Sequence, residues 1–341
     1  MKGMSPRNIV IISVVLVYAS LVAAASGMSP SPTPAQEEKR QTLDPAAWGS
    51  NHVGKPIPEY VRGDECLFCH RNDIGTTWGK TSHGTTLRQR EEAPQLSKLL
   101  QSQAALSGVA GQVQFFLGSR SHVRFLKKEG FGKLSLLSAR ADLRPDHQLE
   151  KLVGGDKPTW DKDRVANQCA GCHATAVDPS TRAITLYGLD CSTCHGDVSL
   201  DHTKDTSLIW LSKKRRNDAK AVTSICAQCH LRGGKSKSTG LPYANNFIAG
   251  DNLFQDYTAD FARADDESLN PGDRHVWRNV REVVLYGAAT PTCLSCHDVH
   301  NSSSVKHRRL PRTAMCADCH TADGPYKPAK SYTVSSQVCD Y

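Results

Sequence analysis

The alternation of apolar and polar positions in residues 91–139 predicts the most regular part of this chain. Leucines recur near one face of a helix in EEAPQLSKLLQSQAAL, residues 91–106: Leu96, Leu99, Leu100 and Leu106. The next stretch, GQVQFFLGSRSHVRFLKKEGFGKLSLLSA, has apolar runs broken by Gly118 and by EGFG, which is typical of strands. Elsewhere the pattern shows no long period, and we expect short helices and loops.

The chain begins with a segment that has the pattern of an export signal. Lys2 and Arg7 precede an apolar run that ends in small residues, so residues 1–25 are predicted to be a secretory signal peptide. An uncleaved membrane anchor is the alternative, because the run is almost long enough to span a bilayer. Residues 26–60 begin Pro-rich and polar and are predicted to be a flexible leader. No other segment has the composition of a membrane span, and we expect a protein exported to the periplasm or outer surface of a bacterium.

Cysteine usage changes this picture, because the chain has 13 cysteines and only 6% aromatic residues. Twelve of the 13 lie in six C-x-x-C-H motifs. In chain order the motifs are Cys66, Cys69 and His70; Cys169, Cys172 and His173; Cys191, Cys194 and His195; Cys226, Cys229 and His230; Cys293, Cys296 and His297; Cys316, Cys319 and His320. Cys339 is left over; we expect it to be unpaired, with an intermolecular bond as the alternative.

Three kinds of chemistry use paired cysteines in an exported chain. A disulfide framework gives no reason for a histidine after every second cysteine. Structural zinc sites pair one C-x-x-C with a second one or with spaced histidines. Covalent haem attachment has C-x-x-C-H as its signature, since two thiols add to two vinyl groups and the histidine binds the iron. The six motifs therefore predict six covalently attached haem c groups, which also supply the apolar core that the composition lacks.

Charge adds little to this interpretation. The formal net charge is +8, but two propionates on each haem offset much of it. The basic composition is therefore no sign of nucleic-acid binding. The basic runs at residues 213–216 and 306–312 are expected to neutralise propionates, with docking of an acidic redox partner as the alternative.

The second axial position of each iron is predicted to be filled by histidine. The chain has only four methionines, two of them in the signal peptide, so methionine ligation is nearly excluded and low reduction potentials are expected. Eight histidines lie outside the motifs. We expect His83, His202 and His300 first, then His122 and His275, with His52, His147 and His307 competing for the last iron.

Spacing adds two expectations about these ligands. His202 and His300 follow closely after the motif histidines His195 and His297, so each starts on the proximal side of its own haem and should bind a neighbouring haem. The short connectors between Cys169 and Cys191 and between the last two motifs predict two tight haem pairs.

Six segments of the chain resemble, in their order, a broad family of exported multihaem c-type cytochromes. They are DECLFCH, TSHG, NQCAGCHAT, LDCSTCHGDVSLDH, SICAQCH and TPTCLSCHDVH. The family includes the tetrahaem cytochrome of the nitrifiers' hydroxylamine pathway and larger relatives, and the resemblance covers residues 64–320. It implies a mostly α fold, stacked and perpendicular bis-His haem pairs and a main role in electron transfer. It also implies distal ligands at His83, His202 and His300 and, more weakly, at His122 and His275.

Together these observations predict a mainly α fold with a few short strands, a haem-cored multihaem cytochrome c with little regular structure. We expect a first haem and a mixed α/β insert in residues 61–165, five haems in 166–325 and a tail in 326–341. The expected function is electron transfer between redox proteins or other cytochromes, with self-association left open. The alternatives are an oxidoreductase with one open-site haem acting on a small nitrogen or sulfur compound, and a protomer of a conductive extracellular filament.

Overall fold

A computed structural model describes residues 42–53, 55–56, 63–118, 121–144, 148–289 and 291–301. The predicted signal peptide, the sixth C-x-x-C-H motif, His147, His307 and Cys339 lie outside these residues. No helix within the described ranges is both long enough and apolar enough to cross a membrane.

An antiparallel sheet of six strands is the largest regular element of the fold. Its strand order is β1-β2-β3-β4-β5, and β6 pairs with β4. The strands are Leu87–Gln89 (β1), Phe115–Leu117 (β2), His122–Gly130 (β3), Lys133–Leu143 (β4), Leu149–Val153 (β5) and Trp160–Asp161 (β6). The strands predicted between residues 111 and 139 are confirmed.

The sheet buries both of its faces. On one face Phe116 lies opposite Phe125, and these residues pack with Leu137 against the helix Pro94–Ser102. On the other face Phe115 lies opposite Leu126, which lies opposite Leu136. Side chains of successive strand residues point to opposite faces, so the apolar runs of β2 and β4 supply both cores. The predicted helix is confirmed, and its leucines pack on the first face.

The expected mainly α fold is wrong, because a six-stranded sheet is a major part of the molecule. The prediction gave the strands a small share of the fold and expected haems to supply most of the apolar core. Residues 87–161 contain no haem motif, and they build a conventional apolar core of their own. Regular structure is therefore extensive where no porphyrin is available to cover the backbone.

The remaining elements are mostly short. The α-helices are Gly63–His70 (α1), Thr76–Trp78 (α2), Pro94–Ser102 (α3), Ser107–Ala110 (α4), Ala170–His173 (α5), Ser192–His195 (α6), Ala219–His230 (α7), Leu253–Asp256 (α8), Pro271–Tyr286 (α9) and Cys293–Cys296 (α10). Two-stranded sheets join Ala174–Val177 (β7) to Ile184–Tyr187 (β8) and Lys235–Ser236 (β9) to Tyr257–Thr258 (β10).

Helix α9 is the longest of these elements, and its ends follow from its sequence. The Asn270 side chain accepts a hydrogen bond from the Asp273 amide at the N-terminus, and Gly287 closes the C-terminus in the left-handed conformation. Its apolar face buries Trp277 and Val280 against Leu231 and the end of α7. This contact fixes the region from which the fourth motif is presented.

Candidate haem-binding sites

The five C-x-x-C-H motifs in the described residues share one local structure. In each motif the histidine ends a helical turn or directly follows one. The turns are α1, α5, α6, α7 and α10, and the histidines are His70, His173, His195, His230 and His297. Residues three and four apart share a face of a helix, so this geometry presents both thiols and the imidazole on one side.

The described cysteines form neither disulfides with one another nor clusters that could hold a metal ion. None of the ten described cysteines is joined to another of the ten. Among the described residues, no group of three or more metal-binding side chains converges on one point. Of the three chemistries that the motifs allow, covalent haem attachment is the one that accounts for the histidine of every motif.

Thiols of different motifs touch one another in three places. A hydrogen bond from the Cys191 thiol lowers the pKa of Cys66 to about 7. In the same way Cys229 lowers the pKa of Cys172. The third contact joins the fourth motif to the fifth, since Cys226 lowers the pKa of Cys293. The attachment edges of the first and third motifs, the second and fourth, and the fourth and fifth therefore lie side by side.

The second and fourth motifs pack reciprocally. The Cys172 sulfur is 3.8 Å from the Gln228 carbonyl oxygen, and the Cys229 sulfur is 3.9 Å from the Gly171 carbonyl oxygen. A Cβ at Gly171 would lie 2.2 Å from the Tyr243 ring, so the residue directly before the second cysteine of this motif has no room for a side chain.

Three pairs of imidazole rings lie at nearly the same separation. The ring centres of His70 and His202 are 6.1 Å apart, with 23° between the ring planes. Two further pairs have similar separations: His83 and His230 at 6.0 Å and 86°, and His195 and His300 at 5.8 Å and 16°. Each pair joins a motif histidine to a histidine outside the motifs.

A single metal ion held between the two rings would give this separation. With metal–nitrogen bonds of about 2 Å and ring centres about 1 Å behind the nitrogens, two imidazoles on one iron have centres about 6 Å apart. A ligated metal fixes this separation but leaves each ring free to turn about its bond. The near-constant distance at angles from 16° to 86° therefore fits bis-imidazole ligation.

Hydrogen bonds at Nδ1 orient several of these rings. His195 Nδ1 is 2.8 Å from the Leu211 carbonyl oxygen, and His202 Nδ1 is 2.8 Å from the Ser199 carbonyl oxygen. His70 Nδ1 is 3.2 Å from the Asp73 carboxylate. A ring that donates from Nδ1 has its lone pair on Nε2, which is the usual arrangement for a histidine bound to a metal.

Desolvation favours the neutral form of three of the paired imidazoles, those of His195, His230 and His300. It lowers the pKa of His195 to about 4, with His300 as the next cause. Burial also lowers the pKa of His230 and that of His300. Only a neutral imidazole has a lone pair to give to a metal, so these shifts favour the form that binds.

Other histidines lie elsewhere. His122 is on β3, largely exposed, with Nδ1 2.7 Å from the Asp142 carboxylate. His275 is exposed on α9. His52 Nδ1 is 2.6 Å from the carboxylate of Asp251. Within the described ranges the structure brings none of the three, nor any other histidine ring, opposite the buried motif histidine His173.

Several residues of the site were not predicted from the sequence. The carbonyl groups of Leu211 and Ser199 carry no side-chain signature, so no motif reveals them. Asp73 follows His70 by three residues, a spacing that places both on one helix face. This spacing could have predicted that Asp73 bonds the His70 ring. Thr77 was also missed; its hydroxyl donates to the His300 carbonyl oxygen at 2.6 Å and helps to place that histidine.

Comparison with known proteins agrees with this geometry. Residues 127–196 match the family model described as cytochrome c554 and c-prime, and residues 287–325 match that of the doubled CXXCH motif. This chain is a multihaem c-type cytochrome. Its haem c groups are covalently bound. The two matches together cover less than half of the chain.

No curated protein matches the chain. Among solved structures, it is similar to the undecahaem cytochrome from the S-layer of Carboxydothermus ferrireducens, with 16% identity and a TM-score of 0.43. The similarity covers 79% of this chain and 44% of that one, so the cytochrome described here spans less than half the length of this relative.

Proposed function

We propose that this cytochrome transfers electrons between redox proteins along six haem c groups, one attached at each C-x-x-C-H motif. When bound, haem iron accepts and releases one electron as it cycles between the ferric and ferrous states. The observation that carries the proposal is the set of three imidazole pairs at 5.8–6.1 Å, which would hold three irons between two histidines each and so suit an electron carrier.

In this proposal the cysteines of each motif hold the haem edge and the motif histidine is the proximal ligand. His202 would hold an iron together with His70, His83 together with His230, and His300 together with His195. His122 and His275 stay candidates for the irons of the other motifs. Ligation by two histidines without methionine favours ferric iron, so the potentials are low.

Contacts between motifs support transfer from haem to haem. The touching thiols of Cys66 and Cys191, and of Cys172 and Cys229, put the attachment edges of different haems side by side. Electrons then pass among haems that are distant in sequence. The same proposal includes export, with residues 1–25 as signal peptide, 26–60 as leader and 166–325 as the haem-dense region.

Mass spectrometry and low-temperature paramagnetic resonance test this proposal together. The mature protein is expected to carry six haem masses, and four or fewer contradict attachment at every motif. His202→Ala is expected to turn one low-spin iron high-spin while all six haems stay attached. Leu208→Ala, at an exposed position in the same loop, is the control and leaves the spectrum unchanged.

The wild-type spectrum also distinguishes the alternative function. If all irons are low-spin, the protein is a carrier. If one iron is high-spin and binds a small nitrogen or sulfur compound, the open-site oxidoreductase is correct. An unchanged low-spin spectrum in His202→Ala removes His202 from the ligand set.

A further inference from the structure

The turn between β3 and β4 has a residue that the fold does not explain. Gly130 pairs with Lys133, so Phe131 and Gly132 form a two-residue loop, with φ angles of 49° and 73°. A turn with positive φ at both central residues favours Asn-Gly or Asp-Gly, and a bulky residue there is strained. Phe131 is also 98% exposed, so no contact within the described chain offsets this strain.

The tip of this hairpin is held rigidly. The Ile184 amide donates to the Gly132 carbonyl oxygen at 2.9 Å, and a Cβ at Gly132 would lie 2.6 Å from the Ile184 carbonyl oxygen. The tip therefore rests against β8 while the Phe131 side chain projects outwards. Strained residues gather here, since Ala176 and Arg182 of the β7–β8 hairpin also have positive φ.

The surface around Phe131 is basic. Residues 127–133 read KKEGFGK, with three lysines and one glutamate. The Glu129 carboxylate is already bonded to the Ser135 hydroxyl at 2.5 Å and to Lys127 at 3.3 Å. Lys128 lies over the rings of Phe115 and Tyr187, at 5.3 and 5.4 Å, and it adds positive charge on this side of the sheet. An apolar knob with a positive rim is complementary to an apolar depression ringed by carboxylates.

The tip is also close to a haem motif. Ile184, which holds Gly132, pairs with Val177, and β7 begins at Ala174, directly after His173. Four residues of strand span about 13 Å, so a protein seated on the tip lies within a short distance of the second motif.

We propose that Phe131 and the lysines beside it, the Phe131 knob, form the docking point for an acidic electron-exchange protein that presents an apolar depression. This inference rests on the proposed electron-transfer function. It assigns the strained turn to partner recognition and places electron exit or entry near the second motif.

Stopped-flow oxidation of the reduced holoprotein tests the Phe131 knob with three acceptors. Acidic plastocyanin represents the proposed class of partner, basic horse cytochrome c has the opposite charge, and ferricyanide needs no docking. Phe131→Asn and Lys133→Glu are each expected to slow oxidation by plastocyanin at least fivefold at low salt. Neither substitution is expected to change the rate of oxidation by cytochrome c fivefold. Neither is expected to slow oxidation by ferricyanide. Leu208→Asn, a change at an exposed leucine elsewhere, is the control and leaves all three rates unchanged.

A second measurement separates docking from folding. Phe131→Asn removes a strained residue and is expected to raise the melting temperature, so a slower reaction with plastocyanin is not a sign of damage. Unchanged plastocyanin rates in both variants overturn the proposal. So does sedimentation showing that Phe131→Asn dissociates a dimer, because the knob then contacts a second copy. If ferricyanide fails to oxidise the wild-type protein, the electron-transfer function itself fails.

Discussion

The sheet region, residues 87–161, and the motif region, residues 163–300, are stabilised in different ways. The sheet region buries complete apolar side chains, such as Phe116 and Phe125 on the face that helix α3 covers and Leu126 and Leu136 on the other face. In the motif region α5, α6 and α10 have four residues each, and helices of that length are not stable by themselves. The first region fills one face of the sheet with its own side chains and covers the other with residues around the second motif, such as Ala170 and Ile184. The second has an apolar core around α7 and α9, but its short motif helices depend on contacts between motifs and on the haems they would hold.

Removal of the haems is expected to have the largest effect on the difference between the two regions. A chain produced without haem attachment is expected to keep amide protection in β3 and β4 and to lose it in α5, α6 and α10, because only the latter depend on porphyrin contacts. Hydrogen exchange followed by mass spectrometry measures both regions in one sample, with the haem-loaded protein as control. Equal loss of protection in the two regions contradicts the division.

A large-to-small change in the sheet core is expected to have the next largest effect. Phe125 is fully buried, so Phe125→Ala should lower the free energy of unfolding by about 3–5 kcal/mol. Denaturant titration followed by circular dichroism gives this value. The haem absorption spectrum of the folded variant is expected to stay unchanged. Leu208→Ala, at a partly exposed site, serves as control and should cost less than about 0.5 kcal/mol.

Adding a single methyl group tests how tightly the second motif is packed within the motif region. Gly171→Ala puts a Cβ 2.2 Å from the Tyr243 ring, and displacement of that ring should cost about 1–3 kcal/mol. Gly108→Ala is the matched control, because a Cβ there meets nothing within 4 Å and the residue lies in helix α4. That variant should be as stable as the wild type or up to about 1 kcal/mol more stable. If both variants have equal stability, the second motif is not packed against Tyr243.

The smallest expected effect concerns alkaline pH. Burial raises the pKa of Tyr257 to about 12, whereas an ordinary tyrosine titrates near pH 10. Its stabilising contribution is therefore present below about pH 10 and is lost as the pH rises towards 12. Tyr257→Phe should cost about 1 kcal/mol at pH 7, because the hydroxyl no longer donates to the Leu231 carbonyl oxygen. Between pH 10 and pH 12 the free energy of unfolding of Tyr257→Phe should fall less than that of the wild type. If the two free energies fall in parallel up to pH 12, the raised pKa of Tyr257 is wrong.

The sequence reveals the parts of the site that are local. The two thiols and the imidazole of each motif lie within five residues, so spacing alone predicts their common face. The same holds for the helix at Pro94–Ser102 and for the strands around Gly118, whose patterns repeat over short stretches. The expected fold class failed for a related reason. The number of motifs suggested a haem-filled molecule, but the motif-free stretch between the first two motifs is long enough to form its own layered core.

What the sequence alone determined is the chemistry: six C-x-x-C-H motifs of the kind that attach haem, few methionines and a surplus of histidines. Only the tertiary structure decided which histidine faces which motif. His70 meets His202 and His195 meets His300 across more than a hundred residues of chain, and no local pattern encodes such a contact. Carbonyl groups such as that of Leu211 orient a ring only after the backbone has folded around it. The spacing of residues within a segment determines which group the segment can bind. Long-range packing determines which other segments lie next to it.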